Sequence, residues 1–371
     1  MLINLLWKKK EKKGCSCNEE DVTVLIPVYN ANDSIKDTIE SIKKQNYCGK
    51  INIIVIDDGS VDDSVEILKK MEIDENMILL ERPHQGKTQA LNEGLKLVET
   101  EYMITIDSDT VLHRDAIRNI MDKLVNSNKK VVATAGCLFV KNAKKNFITK
   151  LQEWDYTLGI FGVKFYQSNY NSTLVAQGAF SAYKTEVIKR VLGWQDCVGE
   201  DIVLTWKLLS LGYEVNFAKK AIAFTEVPIT WRALGKQRKR WARGMIEAFK
   251  KVKIFTSHRL NFRSKFLMSL NLFFPFIDLA LLIFIPLGIF FLLLGNQLLM
   301  GWLTLLVIFL GMILCLVIEI RRRSTLREIN CRLDRRSVLT FIFYVLLYAF
   351  ILAPYCLMGY ISELFNYKKK W

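Results

Sequence analysis

The sequence predicts an α/β domain with a mostly parallel sheet, followed by a helical transmembrane region. Two observations carry this prediction. Over residues 21–130, short apolar runs alternate with segments of helical periodicity, and this alternation is typical of parallel sheets with helices on both faces. After residue 264 the chain becomes largely apolar, in stretches that exceed the roughly 20 residues a membrane-spanning helix needs.

The first part of the chain contains four predicted strands and four predicted helices. The strands are VTVLIPVYN (22–30), INIIVIDD (51–58), MILLE (77–81) and YMITIDSD (102–109). The amphipathic helices lie near residues 33–44, 62–71, 87–98 and 114–125. Ligands of such sheets bind beyond the carboxyl ends of the strands. The acidic residues that end two of these strands are therefore candidate site residues.

The C-terminal region, residues 265–371, contains three apolar stretches, at about 266–294, 298–319 and 338–365. The connection 321–336 carries seven arginines and is therefore expected on the cytoplasmic side. The first two stretches would form a hairpin through residues 295–297. The last stretch contains Pro354 and is followed by KKKW. It either crosses the membrane against the positive-inside tendency or folds back as a re-entrant hairpin, and the sequence leaves both open.

Charge and cysteine usage limit the class of partner. The formal charge is +15 and the cations flank the apolar stretches, so anionic membrane lipid is the expected counterion. The sequence has no recognised nucleic-acid-binding motif, so no nucleic-acid partner is expected. Eight scattered cysteines and three histidines argue against a zinc site and favour reduced thiols in a cytoplasmic α/β domain. The basic segment 1–20 is expected either on the membrane surface or as a disordered tail.

Two acidic motifs follow predicted strands. Asp57 and Asp58 precede Gly59, and their carboxylates could accept a hydrogen bond from a uracil N–H or a ribose hydroxyl; the alternative is an ordinary turn. Asp107 and Asp109 could converge on one Mg²⁺ or Mn²⁺ ion, because these cations prefer oxygen ligands. The alternative for that pair is a solvated turn.

Two further motifs lie at predicted helix starts. Asp201, in Gly199-Glu200-Asp201, precedes the helical pattern IVLTWKLL and is a candidate general base or a helix N-cap. In HQGKTQALNEGL, Gly86 and Lys87 start a helix, where backbone N–H groups and an amine favour an anion. The alternative there is a capped surface helix.

The basic stretch GKQRKRWARGM (235–245) lies in an amphipathic interface region, residues 231–264. Gln237, Arg240 and Trp241 are at positions that share one helix face, where an arginine fork can grip a diphosphate and an indole can support a sugar ring. The remaining cations are expected on lipid headgroups: Lys236, Arg238, Lys239 and Arg243. An apolar stripe is expected to lie along the membrane, formed by Trp231, Leu234, Trp241 and Met245.

The order of these motifs resembles one enzyme family. VTVLIPVYNAN, VIDDGSVDDS, HQGKTQALNEGL, ITIDSDT, QGAFSAYKTEVI, GEDIVLTWKLLSLGY and KQRKRW follow one another over about residues 21–245. This series is similar to that of the membrane family-2 glycosyltransferases, in the branch that makes poly-N-acetylglucosamine, hyaluronan, chitin oligomers and cellulose. EDIVLTWKL followed by GKQRKRWARG is most similar to the poly-N-acetylglucosamine synthases.

The resemblance implies a GT-A-type, Rossmann-like nucleotide-sugar-binding domain over residues 21–230, in the cytoplasm of a cell with a bacterial-type plasma membrane. It implies a UDP-sugar donor, UDP-N-acetylglucosamine by the branch, and inverting transfer to a β-linked polysaccharide. Asp57 and Asp58 would contact uridine, and Asp107 and Asp109 would hold Mg²⁺ or Mn²⁺. Lys87 and Arg240 would add positive charge to the departing diphosphate, and Gln237 would bind the donor. Asp201, beside Glu200, would be the general base. Trp241 and Gln177, Gly178 and Ala179 would bind the acceptor.

Two departures from the family pattern affect these expectations. The relatives commonly have Thr-Glu-Asp where this chain has Gly199-Glu200-Asp201, which keeps the acidic pair. They also usually carry spans before the catalytic domain, so export of a polymer is expected to need an accessory membrane subunit or a second copy. Transfer of a single sugar to a membrane lipid is the alternative function, and a non-catalytic membrane scaffold is a third.

Overall fold

The computed structural model describes residues 19–71, 75–295, 302–331, 333 and 336–367. The expectations for the basic N-terminal segment before residue 19, for the hairpin turn beyond Gly295 and for the terminal KKKW lie outside the described residues.

One eight-stranded sheet forms the centre of the α/β domain. Its strands are β1 (Val22–Val28), β2 (Ile51–Asp57), β3 (Met77–Glu81), β4 (Tyr102–Ile106), β5 (Thr110–Leu112), β6 (Val131–Val140), β7 (Phe180–Lys184) and β8 (Glu214–Thr225), in the order β3-β2-β1-β4-β7-β6-β8-β5. The first four are parallel to one another. Strand β7 runs antiparallel to β4 and β6, while β8 is parallel to β6 and β5 antiparallel to β8. The predicted α/β fold is confirmed, with a parallel half and a mixed half.

The helices of this domain cover both faces of the sheet. They are α1 (Ile35–Lys43), α2 (Ser64–Lys70), α3 (Lys87–Lys96), α4 (Ala116–Val125), α5 (Phe147–Asp155), α6 (Val163–Ser168), α7 (Thr185–Arg190) and α8 (Glu200–Ser210), with a π-helix over Tyr156–Gly162 between α5 and α6. The four predicted strands and the four predicted helices of residues 21–130 are all present, and their ends differ from the predicted ones by at most three residues.

Alternation along β1 explains why both sheet faces are buried. Val24 and Ile26 pack in one cluster with Ile39 of α1, whereas Leu25 packs in a second cluster with Leu91 of α3. Successive side chains of a strand point to opposite faces. A strand that is apolar at every position therefore needs a helix layer on each side, and burial of all seven residues of β1 follows.

The C-terminal part is helical: α9 (Trp231–Lys251), α10 (Phe262–Leu270), α11 (Phe274–Leu293), α12 (Trp302–Glu328), α13 (Val338–Phe343) and α14 (Ala349–Leu364). Short 3₁₀ and π segments make α10–α11 and α13–α14 continuous. Among the described residues, two helices, Phe262–Leu293 and Val338–Leu364, are long and apolar enough to cross a membrane by length and composition. The middle stretch, 298–319, falls largely on α12, and the number of spans stays a prediction.

The apolar face of helix α9, which was expected to contact the membrane, packs against α13–α14. Leu234 is in a cluster with Tyr348 and Leu352, and Met245 is in a cluster with Tyr360. Gly359 permits this contact, because a Cβ there would lie 2.4 Å from the Lys239 carbonyl oxygen. The predicted apolar stripe therefore packs on protein at these positions.

Two of the cations assigned to lipid are buried and paired with carboxylates. Arg238 Nη2 lies 2.5 Å from Asp155 Oδ2 of α5, and Arg243 Nε lies 2.8 Å from Glu363 Oε2 of α14. The prediction that Arg238 and Arg243 face headgroups is wrong. A run of cations in sequence does not indicate which members will meet a carboxylate from a distant helix.

Candidate active site

A cavity of about 390 Å³ opens beyond the carboxyl end of β4. Eleven of the predicted site residues line it: Lys87, Asp107, Asp109, Gln177, Gly178, Ala179, Glu200, Asp201, Gln237, Arg240 and Trp241. These residues come from five separate stretches of the chain. The structure therefore brings together the Asp107 and Asp109 pair, the Glu200 and Asp201 pair, Lys87 and the Gln-x-x-Arg-Trp face of α9.

Asp107 and Asp109 lie in the short loop between β4 and β5. Asp109 Oδ1 accepts hydrogen bonds from the Thr110 and Thr225 hydroxyls, at 3.1 and 3.2 Å. Burial raises the pKa of Asp109, as does the neighbouring Asp107 carboxylate, and these two effects outweigh the hydroxyl bonds. A buried acid beside a second acid is stabilised as a carboxylate by any cation that joins the site.

Lys87 begins α3, directly after Gly86, whose φ of 96° lies in the region that glycine adopts without strain. Its ammonium Nζ lies 2.5 Å from Asp107 Oδ1 and 3.7 Å from Glu200 Oε1. Burial lowers the pKa of Lys87, but the surrounding carboxylates outweigh it and raise the pKa overall. Lys87 is therefore a permanent positive charge in the cavity.

Gly178 makes room for the Lys87 ammonium. A Cβ at position 178 would lie 2.9 Å from Lys87 Nζ. Beside it, Gln177 Nε2 donates to the Gly136 carbonyl oxygen at 2.6 Å, while Gln177 Oε1 is buried with no hydrogen-bond partner among the described residues. This glutamine thus holds the strand with one end of its amide and leaves the other available to a ligand.

Glu200 and Asp201 are the first two residues of α8, and the N-cap position is Gly199. The alternative that Asp201 is the N-cap is therefore wrong. Asp201 Oδ1 accepts from the Ile202 backbone N–H at 2.7 Å. Burial raises the pKa of Glu200 to about 7, partly offset by Lys87 and increased by Asp201.

A glycine–glycine contact brings this acidic pair against α9. A Cβ on Gly199 would lie 2.8 Å from the Gly244 Cα, and a Cβ on Gly244 would lie 2.8 Å from the Gly199 Cα. The helix start that carries Asp201 can approach α9 this closely because neither residue has a side chain. The close approach explains why Asp201 and Arg240 share a cavity. The glycine that departs from the family's Thr-Glu-Asp pattern is thus a packing residue.

On α9, Gln237, Arg240 and Trp241 face the cavity, as the helical spacing predicts. Gln237 Oε1 is buried without a hydrogen-bond partner in the described part of the chain. Trp241 is 40% exposed, and its ring stacks on the Arg238 guanidinium, whose Cζ is 4.0 Å from the ring centroid. The buried Arg238 therefore fixes the indole that lines the cavity.

Asp57 and Asp58 are not among the residues that line this cavity. Asp57 Oδ2 accepts from the backbone N–H groups of Gly59 and Ser60, each at 3.1 Å. Asp58 accepts from the backbone N–H groups of Gln85 and Gly86 at 3.0 and 2.7 Å, with its two carboxylate oxygens. The structure thus gives these carboxylates a turn-forming role, and their contact with uridine stays a prediction.

Several lining residues were not predicted, and two of them carry chemistry that the sequence analysis missed. Tyr156 and Lys164 reach the cavity from the π-helix and from α6. Neither lies in a recognisable motif, and the π-helix that turns both toward the cavity has no sequence signature. A buried lysine within an otherwise apolar helical segment, FGVKFYQ, was the available signal.

The fold and cavity define a Rossmann-like GT-A domain with acids and cations collected at the carboxyl end of the sheet, followed by apolar helices. Residues 23–192 match the family model described as Glycosyl transferase family 2. The match lies within the α/β domain and covers a little less than half of the chain.

Curated relatives are similar to a little over half of this chain. Poly-beta-1,6-N-acetyl-D-glucosamine synthase of Staphylococcus epidermidis is 33% identical over 227 residues, which is 61% of this chain and 54% of the relative. The protein of that name from Staphylococcus aureus strain MSSA476 is 31% identical over 227 residues, with the same shares. The chain thus spans about half the length of these relatives.

Two solved structures share the fold. The mannosyltransferase PcManGT from Pyrobaculum calidifontis, in complex with GDP-Man and Mn²⁺, has a TM-score of 0.62 at 18% identity and covers 94% of this chain and 88% of its own. TarS of S. aureus in complex with UDP-GlcNAc has a TM-score of 0.51 at 17% identity and covers 68% of this chain and 71% of its own.

Proposed function

We propose that this protein is a membrane-associated glycosyltransferase that transfers N-acetylglucosamine from UDP-N-acetylglucosamine to a growing β-linked polysaccharide, with inversion at the anomeric carbon. The observation that carries the proposal is one cavity, in which paired acids, three cationic side chains and a tryptophan come together from distant parts of the chain. The sugar and acceptor class rest on the similarity to the poly-beta-1,6-N-acetyl-D-glucosamine synthases.

In the donor half of the cavity, Lys87 and Arg240 bind the diphosphate. Lys87 is held at the start of α3, where the helix dipole adds to its charge. Arg240 contributes a planar fork that can form two parallel bonds to phosphate oxygens. These groups stabilise the negative charge that develops on the departing UDP, and such preorganised electrostatics is usually the largest catalytic contribution. The buried Gln237 Oε1 can accept a hydrogen bond from a hydroxyl of the UDP-sugar.

The carboxylates of Asp107 and Asp109 fit a divalent cation. Both carboxylates line the cavity. Among the described residues no group of three or more His, Cys, Asp or Glu side chains could hold a metal by itself, so the two carboxylates would share the cation with the substrate. Mg²⁺ and Mn²⁺ are commonly held by one or two carboxylates plus substrate phosphates. A bound Mg²⁺ or Mn²⁺ would supply Lewis-acid neutralisation of the diphosphate.

Asp201 accepts the proton of the acceptor hydroxyl. As that oxygen bonds to the anomeric carbon from the face opposite the diphosphate, the bond between the anomeric carbon and the phosphate oxygen breaks and UDP leaves. The electron pair stays with UDP and the proton stays on Asp201. One in-line displacement of this kind turns an α-linked donor into a β-linked product. Glu200 supports the reaction by keeping Lys87 in place, at 3.7 Å.

The acceptor half is formed by Gln177, Gly178, Ala179 and Trp241. The indole offers an apolar surface for the C–H face of a sugar ring, and Gln177 Oε1 can accept from a sugar hydroxyl. Trp241 lies on α9, which packs directly on α13–α14. A product sugar leaving this side of the cavity therefore meets the apolar helices.

Donor screening with product sizing tests the proposal. Purified full-length protein is incubated with a panel of radiolabelled UDP-sugars and with GDP-mannose, in Mg²⁺ or Mn²⁺, and both nucleotide release and product length are measured. We expect release of UDP from UDP-N-acetylglucosamine and a ladder of oligomers. Release of GDP from GDP-mannose in preference to UDP would contradict the proposed donor.

The second candidate function is transfer of one sugar to a membrane lipid. The observation that favours it is the direct packing of α9, which carries Trp241, on an apolar helix long enough to cross a membrane. A lipid acceptor could reach the cavity from that side. In the same assay, a single glycolipid product of fixed mobility would support this candidate, whereas a ladder would reject it.

A further inference from the structure

Lys164 is a cation in the cavity to which the proposed mechanism gives no part. It lies on α6, one turn after Ile160 of the π-helix, and both residues line the cavity. The side chain is 7% exposed. In contrast to Lys87, it has no ion-pair or hydrogen-bond partner among the described residues. Burying an ammonium without a counterion is costly. A buried, unpaired lysine in a cavity is therefore a candidate ligand-binding residue.

The backbone geometry directs this lysine to the cavity. A π-helix runs over Tyr156–Gly162, and its Gly162 packs against α12, since a Cβ there would lie 2.8 Å from Ile318 Cδ1. Such wide turns are frequent at functional sites. Here the π-helix places Tyr156, Gly159 and Ile160 along one wall, and Lys164 follows on the same wall.

The charges around Lys164 differ from those around Lys87. Lys87 interacts with Asp107 and Glu200, the acids of the donor half. The carboxylate that acts most on Lys164 is Asp201 of α8, and the other titratable group facing it is the buried Cys137 thiol of β6. Lys164 therefore interacts electrostatically with Asp201, the proposed general base, which also acts on Lys87. The acceptor hydroxyl must lie beside Asp201, in the cavity that Lys164 lines.

We propose that Lys164 is an acceptor-binding residue, whose ammonium donates hydrogen bonds to oxygen atoms of the acceptor's terminal sugar and holds its hydroxyl toward Asp201. This inference rests on the proposed function. An ammonium offers three donors and no acceptor, so it complements Gln177 Oε1, which only accepts. Together they recognise a group with both a hydroxyl and a carbonyl or ring oxygen, as a sugar has.

The protonation of Lys164 makes the inference testable by pH. Burial lowers its pKa to about 7, against the opposing effect of Asp201. The protonated form donates three hydrogen bonds and carries the charge, and it is lost as pH rises through about 7. Acceptor binding should therefore weaken between pH 6.5 and 8.5. Arginine keeps its charge over this range.

The experiment compares wild type with Lys164→Met, Lys164→Arg and a control, Lys150→Met, which makes the same change at an exposed lysine of α5. Binding of an N-acetylglucosamine oligomer and of UDP is measured by calorimetry, and the acceptor and donor KM values by UDP release, at pH 6.5, 7.5 and 8.5. We expect Lys164→Met to weaken oligomer binding roughly 10- to 100-fold, as loss of a charged hydrogen bond does, while UDP affinity changes less than about 2-fold.

We further expect the acceptor KM of the wild type to rise with pH and that of Lys164→Arg to stay flat. Unchanged oligomer binding in Lys164→Met would overturn the inference, as would equal losses of oligomer and UDP binding with a lower Tm, which indicate a structural role. A wild type that does not bind the oligomer also overturns it. Failure of the proposed function is recognised separately, as absence of UDP release from the donor in the wild type.

Discussion

Acidic side chains at the ends of β2 and β4, two strands that both pair with β1, have opposite environments in this protein. Asp57, the last residue of β2, and Asp58, the next residue, accept hydrogen bonds from backbone N–H groups of two turns, and Asp58 also pairs with the His84 ring. Asp107 and Asp109, after β4, face a cavity with Glu200 and Asp201. We call the first two the turn carboxylates and the last four the cavity carboxylates. Their difference shows that a motif's chemistry depends on how many of its hydrogen bonds the fold has already satisfied.

The largest expected effect is at Asp201, the cavity carboxylate proposed as base. Replacing it by Asn should lower transfer roughly 100- to 10,000-fold, the contribution typical of general acid–base catalysis, and leave UDP-sugar binding in place. Radiolabel transfer and donor calorimetry measure the two quantities. The exposed Asp196→Asn is the matched control, with activity like the wild type. Loss of donor binding in Asp201→Asn would contradict the assignment.

Asp109→Asn should lower metal-supported donor affinity and turnover roughly 100-fold, since Lewis-acid stabilisation contributes several kcal/mol. Stability should not fall with it. Because the pKa of Asp109 is raised, its ionised form is disfavoured in the folded protein, and Asn removes that unfavourable charge. The measurements are donor calorimetry with Mn²⁺ or EDTA and thermal unfolding in EDTA. A lower Tm in EDTA would place Asp109 with the turn carboxylates instead.

Asp58→Asn, in contrast to Asp109→Asn, should lower the stability of the folded protein. The residue is 2% exposed, its two oxygens accept from the Gln85 and Gly86 backbone N–H groups, and His84 Nδ1 lies 2.8 Å from Oδ2. Asn retains one acceptor and loses the charge, so we expect a loss of about 2–3 kcal/mol in the free energy of unfolding, measured by urea denaturation. The exposed Asp63→Asn on the same segment should change it little. Equal stability of both variants would erase the distinction between turn and cavity carboxylates.

The smallest expected effect is on the pH dependence of stability through Glu200. Its pKa is raised from 4.5 to about 7 in the folded protein, so the folded state binds its proton more tightly than the unfolded chain does. The resulting stabilisation is present below pH 4.5 and is lost as pH rises through about 7. Between pH 5 and 8 the wild type should therefore lose about 1–3 kcal/mol more than Glu200→Gln, in unfolding without metal or donor. If the free energy of unfolding of the wild type and of Glu200→Gln changed with pH in the same way, the charge of Lys87 would fully offset the effect of burial on Glu200.

Much of the domain could be predicted from local sequence. Continuous apolar runs of five to nine residues between helical patterns predicted β1 to β4, and the structure confirms them. Gly86 before Lys87 predicted the start of α3 correctly. The spacing of Gln237, Arg240 and Trp241 placed them on one face of α9. Each of these features depends on residues within a few positions of one another.

The sequence by itself determined which elements form, which acids end strands and which side chains share a helix face, because period and turn chemistry are local properties. Only the tertiary structure decided that Asp58 accepts hydrogen bonds within a turn while Asp109 lines a cavity. It also decided that Arg238 and Arg243 pair with carboxylates of distant helices. The burial of Lys164 in the same cavity as Asp201 is a third such outcome. Those outcomes depend on contacts between residues far apart in the chain, whose energies no local pattern contains.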